Sequence, residues 1–280
     1  MNKFQLVNRR KQGMSLERFR YEWGVVHVAV MLTTPSAMDI FRRYVQGYSL
    51  DDVDSSSLAY PLSPEQWDGF ASLSFDSLDD FARSMGEPDY TERARPHDFS
   101  DPAMVLELTS EEVFFDDLDH VDAPEEDVVK LVHFLRRAPG VSREQFAEAW
   151  RGEYAAGVAD ASKGLVSKYV QNAALGLEGT PFEGTAYGQG VFGAYGGIEE
   201  FWFASRADFD SFTQHAHVRE LLRERGAGIV DAAGSFSMVV TDRLRFTSAR
   251  SPDGRSVYCW APPGLEVRST PGVWSGPVTS

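Results

Sequence analysis

Polar and apolar residues alternate from Phe4 to Arg10, with Phe4 and Leu6 interleaved with Gln5, and a period of two predicts a strand. The period then changes. Leu16, Phe19, Trp23 and Val26 recur at helical spacing behind Ser15, a good N-cap, so an amphipathic helix is predicted through His27 and Val30 to about Leu32. Pro35 helps to end it by forcing the residue before it out of the α region. A second strand follows from Arg42 to Tyr48, with Arg42, Tyr44, Gln46 and Tyr48 on one face and Arg43 and Val45 on the other. Residues 49–64, acidic and rich in serine, read as an exposed loop. Gly69 to Phe75 is a third strand, Asp76 and Ser77 open a helix carrying Leu78, Phe81 and Met85, and Met104 to Thr109 is a fourth strand.

Most of this text is written twice. Gly13-Met14-Ser15 with Phe19, Trp23 and His27 returns as Gly140-Val141-Ser142 with Phe146, Trp150 and Tyr154, and Tyr44-Val45-Gln46 returns as Tyr169-Val170-Gln171. The second copy predicts strand Val129 to Arg136, helix Ser142 to about Lys163, strands Lys168 to Asn172 and Ile198 to Phe203, helix Ala207 to about Arg225, and strand Ser235 to Thr241. Strand, helix, strand, strand, helix, strand is the split β-α-β order of a ferredoxin-like unit. The fold class expected is α+β, with two fused ferredoxin-like repeats. Their boundaries are 1–115 and 129–247, separated by an acidic linker at 116–128 and followed by a Pro/Ser/Gly-rich tail at 248–280. The glycine-rich connection from Ala173 to Gly197 has the length of a lid or binding loop.

Composition narrows the partners. A formal charge of −15 over 280 residues argues against nucleic acid and anionic membrane surfaces. The single cysteine, Cys259, excludes an internal disulfide and fits a reducing compartment, and no apolar run reaches the roughly 20 residues that span a bilayer. A soluble, cytoplasmic protein is expected. His215 and His217 stand two apart on a helix, and with His97 and His120 in loops no metal-ligand spacing emerges. No Gly-rich phosphate loop or nucleophile elbow is present, so chemistry without metal or other cofactor is expected.

The string Gly-x-Ser-x3-Phe-x3-Trp-x3-His, intact at Gly13 to His27 and altered to Tyr154 in the second copy, resembles the opening of EthD domains, members of the dimeric α+β barrel superfamily. The resemblance implies that the bare sheets of the two repeats pair into one barrel around a cavity. It implies enzymes such as polyketide cyclases, cofactor-free anthrone oxygenases, muconolactone isomerases and dehydratases or decarboxylases of aromatic polyketides. Haem-binding relatives also exist. It further implies one intact site at His27 and one altered site at Tyr154.

An imidazole titrates near neutrality, so His27 is either a general acid or base or a core histidine at a helix end. Alternation puts Phe70, Ser72 and Ser74, and Ile198, Glu200 and Trp202, on the strand faces expected to line the cavity. Glu200 there is either a catalytic carboxyl with its pKa raised by desolvation or an ion-paired residue near Arg42 or Lys168. Tyr44, Gln46, Tyr48, Tyr169 and Gln171 form either an amphipathic wall for a phenolic ligand or a polar seam between sheets. His133, where the first copy has Leu6, is either a specialised residue or a structural one. The expected catalytic set is His27, Glu200 and Tyr44. The expected function is cofactor-independent acid-base chemistry (dehydration, cyclisation, decarboxylation or isomerisation) on an aromatic or polyketide-like small molecule. The alternatives are a non-catalytic binding protein and a cofactor-free or haem oxygenase, with the chain a monomeric fused barrel or a homodimer.

Overall fold

The computed structural model describes residues 1–93, 98–118, 127–185, 187–250 and 256–260. His97, His120, most of the acidic connector and the tail beyond 260 therefore lie outside the described residues, as do the side chains of Tyr258, Cys259 and Trp260. The first alternating segment is β1 (Asn2–Asn8). Ser15 Oγ then accepts the Arg18 N–H at 3.1 Å and opens α1 (Leu16–Tyr21). The helix widens into a π-helical turn at Glu22–His27 before α2 (Val28–Leu32). Pro35 does more than stop it: Pro35 stands at the start of α3 (Pro35–Ile40), where a missing N–H costs nothing.

Strand β2 (Phe41–Ser49), β3 (Gly69–Phe75), α4 (Leu78–Met85), α5 (Pro88–Arg93) and β4 (Val105–Asp116) complete the first repeat. The second runs β5 (Val129–Leu135), α6 (Arg143–Ala149), a π-helical turn at Trp150–Tyr154, α7 (Ala155–Ser162), β6 (Lys168–Ala174), the short β7 (Val191–Phe192), β8 (Gly197–Phe203), α8 (Arg206–Gln214), α9 (Ala216–Gly226) and β9 (Phe236–Arg250). Ser142 makes the full capping box with Gln145 at the start of α6. One helix expected from 207 to 225 is two, because His215 leaves the helical region with ψ 88°.

Each repeat forms a four-stranded antiparallel sheet, β4-β1-β3-β2 and β9-β5-β8-β6. The two join where β2 pairs with β9 and where β4 pairs with β6, closing an eight-stranded antiparallel barrel with the helices outside. β9 runs past the expected end at Thr241 to Arg250, since β2 supplies a partner as far as Thr247 and β10 (Ser256–Trp260) continues the ladder.

The repeated tryptophans meet repeated glycines. A Cβ at Gly69 would stand 2.3 Å from the Trp23 ring, and one at Gly197 would stand 2.3 Å from the Trp150 ring. Each indole therefore packs against the first residue of a central strand, where there is no room for a Cβ.

The loops cross over. Residues 49–64, expected as an exposed loop, bury Leu58, Ala59 and Tyr60 against the helix-covered core of the second repeat. Arg223 holds them by donating to the carbonyls of Ala59 and Leu58 at 3.0 and 3.1 Å. Conversely, Phe182 and Tyr187 of the glycine-rich hairpin are buried in the core of the first repeat, against Phe4. Each repeat thus closes the other's helix–sheet layer, because a four-stranded sheet under two short helices leaves apolar surface uncovered at one end.

Candidate active site between helix and sheet

Strand parity decides where each candidate side chain goes. Residues of β2 and β3 that share a face, Tyr44 opposite Leu73 and Gln46 opposite Ala71, look toward α1, the π-helical turn and α2. Their neighbours Ser72 and Ser74, together with Glu200 and Trp202, look into the barrel. A strand changes face at every residue, so one sheet separates His27 and Tyr44 from Glu200. The expected catalytic set of His27, Glu200 and Tyr44 does not converge.

Inside the barrel lie an apolar layer and an ion network. Val7, Phe70, Val105, Val132, Phe134, Ile198, Phe236, Met238 and Val240 form one apolar layer. Beside it, Glu200 Oε2 lies 3.0 Å from Lys130 Nζ, while Gln5 Nε2 and Asn172 Nδ2 donate to Glu200 Oε1 at 3.0 and 2.8 Å. Lys130 also meets Asp242 Oδ1 at 2.8 Å and lies over the rings of Phe70 and Trp202. Burial alone would raise the Glu200 carboxyl, but the charges of Lys130 and Lys3, with hydrogen bonds from Lys130 and Asn172, bring it down to about 2. The expectation of a raised pKa is therefore reversed: Glu200 is a fixed anion in an ion network, and its partners are Lys130 and Lys3 rather than Arg42 or Lys168. Ser72, Ser74 and Trp202 share that interior, away from His27.

The π-helical turn brings His27 to the helix side of β2. Its ring centroid is 6.4 Å from that of Tyr44 and 5.5 Å from that of Phe99. Half-buried, His27 lines two spaces at once. Outside is a cleft of about 360 Å³ bounded by Met14, Arg18, Val26, Arg93 and Phe99. Inside is a void of about 20 Å³ reaching Asn8, Tyr44, Met104 and Tyr187. The cleft is large enough for an aromatic ring system, and the void holds roughly one water-sized group.

Behind Tyr44 stands a fixed polar chain. Gln46 Nε2 donates to Tyr44 Oη at 2.6 Å and to the Trp23 carbonyl at 3.0 Å, and Arg245 Nε donates to Gln46 Oε1 at 2.8 Å. Arg245 Nη2 also donates to Tyr48 Oη at 2.5 Å. Burial pushes the Tyr44 phenol well above its ordinary value, despite the lowering by Gln46 and Arg245, so it stays protonated. Tyr187 and Tyr90 complete the floor with hydroxyls 3.2 Å apart, both raised by burial.

The second repeat carries the counterpart without the opening. Gln171 Nε2 donates to Tyr169 Oη at 2.8 Å and to the Trp150 carbonyl at 3.2 Å, repeating the first half bond for bond. Here Tyr154 donates to Glu199 Oε1 at 2.9 Å, Tyr169 donates to Oε2 at 3.3 Å, and His133 Nδ1 lies 2.8 Å from Oε1. Tyr60, from the crossing loop, stands edge-on to His133 at 5.1 Å between ring centroids. His133, Tyr154, Tyr169, Gln171 and Glu199 are all buried to 2 % exposure or less. His133, Tyr154, Tyr169 and Gln171, expected to bind ligand, are thus a closed polar core here.

Glu199, Arg245, Tyr187 and Tyr60 were not among the candidates. Glu199 was legible, since alternation puts it on the Phe201 face opposite Glu200. Arg245 lay past the expected end of its strand, and Tyr187 and Tyr60 arrive on loops whose destination no local pattern encodes.

Among the described residues no group of three or more His, Cys, Asp or Glu could hold a metal ion, and no helix is long and apolar enough to cross a membrane. Chalcone isomerase cfoK of Aspergillus candidus is 24% identical over 250 residues, covering 84% of this chain and 95% of that protein. The crystal structure of an anthrone oxidase-like protein superposes with TM-score 0.55 at 13% identity, covering 87% of this chain and 92% of its own. A protein from Fusobacterium nucleatum described as a monooxygenase superposes with TM-score 0.50 at 6% identity, covering 87% of this chain and 93% of its own. Likenesses at such identities establish the barrel alone. The EthD domain model matches residues 11–103 and 138–233, more than half of the chain and both repeats, and the protein belongs to the EthD family.

Proposed function

We propose that the first repeat carries the site and that it catalyses proton-transfer isomerisation, a ring-closing reaction of a hydroxylated aromatic ketone. One observation carries this reading: His27 lines both an outer cleft the size of an aromatic ligand and an inner void the size of one oxygen atom, and Tyr44 lines that void. The ligand's ring system lies in the cleft against Val26 and Phe99, with its carbonyl oxygen directed to Tyr44. The relative named chalcone isomerase supports the class of substrate.

For a hydroxychalcone the steps balance without an oxidant. His27 takes the proton of a ring hydroxyl, and the resulting oxygen bonds to the β-carbon of the enone. The displaced electron pair moves to the carbonyl oxygen, where Tyr44 donates a hydrogen bond to the enolate. The imidazolium then returns its proton to the α-carbon, and the product is an isomer of the substrate. Placing both groups around one bound conformer removes the entropy cost of bringing acid and base together.

Loss of the chalcone absorbance reports turnover. His27→Gln should lower kcat by about 100-fold or more, the usual share of a general base, with unchanged thermal unfolding. A full rate in that variant removes His27 from the chemistry. Tight binding of the hydroxychalcone by the wild-type protein without absorbance loss replaces catalysis with binding.

A further inference from the structure

We infer that Arg245 and Gln46 are positioning residues that fix the direction of the Tyr44 O–H bond, turning this tyrosine into a dedicated donor to a developing oxyanion. The inference rests on the proposed use of the first-repeat site and assigns the polarity of its inner end.

The directions follow from donor chemistry. A guanidinium only donates, so the Gln46 atom that meets Arg245 Nε at 2.8 Å is the amide oxygen. A backbone carbonyl only accepts, so the atom that meets the Trp23 carbonyl at 3.0 Å is the amide nitrogen. Both ends agree, and the second amide hydrogen therefore points at Tyr44 Oη, 2.6 Å away. The phenol oxygen is an acceptor on the Gln46 side. Its single hydrogen is therefore directed away from Gln46, and Tyr44 is one of the residues that line the inner void. A cation behind the amide polarises it, and the polarised amide strengthens Tyr44 as a donor.

The second repeat supplies an internal comparison. Gln171 holds Tyr169 in the same way, but its Oε1 has no partner among the described residues. The Tyr169 proton is consumed by Glu199. In the matching register of the first repeat, where Gln46 faces Ala71 as Gln171 faces Glu199, that acceptor is an alanine. One repeat thus has the cation and lacks the competing acceptor; the other has the acceptor and lacks the cation. Arg245 belongs to β9, a strand of the second repeat, so the first-repeat site is completed across the barrel seam.

Gln46→Glu tests the direction of the bond with almost no change of shape. The introduced carboxylate would still accept from Arg245, but it would accept from Tyr44 as well, turning the phenol proton away from the void. With a hydroxychalcone as probe, Gln46→Glu should lower kcat per folded protein by about 100-fold, the loss typical of one oxyanion donor, with KM changed only a few-fold; its melting temperature should fall, because a carboxylate cannot donate to the Trp23 carbonyl. Arg245→Gln should lower kcat, and Arg245→Lys should recover most of it. A second readout needs no turnover. Hydrogen bonding to the ketone shifts the absorbance of the bound chalcone to longer wavelength, and this shift should vanish in Gln46→Glu and Tyr44→Phe but persist in His27→Gln. If His27→Gln is fully active while the shift still depends on Gln46, His27 leaves the chemistry and the relay stands. A wild-type rate and shift in Gln46→Glu overturns the relay, as does equal loss in Arg245→Gln and Arg245→Lys that tracks their melting temperatures. Failure of the wild-type protein to bind the probe overturns both.

Discussion

Two carboxyls inside the barrel are both raised by burial, but the lysines beside one of them reverse its direction. Glu200, beside Lys130 and Lys3, falls from 4.5 to about 2, whereas burial pushes Glu107 up to about 8, although the Tyr195 N–H donates to it at 2.9 Å. The signs follow from which state binds more protons. Glu200 contributes stability above its unfolded value of 4.5 that is lost as pH falls toward 2. Glu107 keeps its proton longer when folded, so its contribution is complete below 4.5 and is lost as pH rises through 8. Urea midpoints measured across pH should therefore decline on both sides, and Glu107→Gln should flatten the alkaline side alone. An unchanged alkaline limb in Glu107→Gln would place the titration elsewhere. The identity of Glu200 as an interior residue was readable from alternation. Its charge state was not, because Lys130 and Lys3 come from strands far away in the chain.

At the scale of elements, the repeated helix is the informative unit. Its caps, Ser15 and Ser142, and its apolar stripe were fully legible, since both depend on neighbours three or four residues away. The widening to a π-helical turn at Glu22–His27 and Trp150–Tyr154 was not. Within it, Gly24 lets the helix approach the Arg245–Tyr48 pair: a Cβ there would lie 2.1 Å from Tyr48 Oη and 3.1 Å from Arg245 Nη2. Gly24→Ala should displace that pair, costing about 1–3 kcal/mol in chemical unfolding, as overpacking does, and lowering kcat beyond what the loss of folded protein explains. A variant with normal activity would show that Arg245 can retreat without consequence for Tyr44.

The whole molecule is held by exchange between its halves. Phe182 is fully buried among Phe4, Phe81 and Tyr187, so the second repeat's hairpin is part of the first repeat's core. Phe182→Ala should cost about 3–5 kcal/mol, the usual range for emptying an aromatic core site. Tryptophan fluorescence and far-ultraviolet circular dichroism should still report one coincident transition, because neither repeat has a complete core alone. Separate transitions would show that the repeats fold independently.

The chain itself determined the repeat, the split β-α-β order, the helix caps and which residues share a strand face, because each depends on spacings of two to four positions along the backbone. Membership of a barrel family was legible in the same way, from Gly13, Ser15, Phe19, Trp23 and His27 read as one string. Only the tertiary structure decided that the candidate site lies between helix and sheet with Glu200 on the far side, and that Arg245 stands behind Gln46. It alone brought Tyr60 and Tyr187 across to the opposite repeat. Those arrangements come from barrel closure and loop crossing, which bring together residues as distant as Gln46 and Arg245, 199 positions apart, and no local periodicity carries information over that distance.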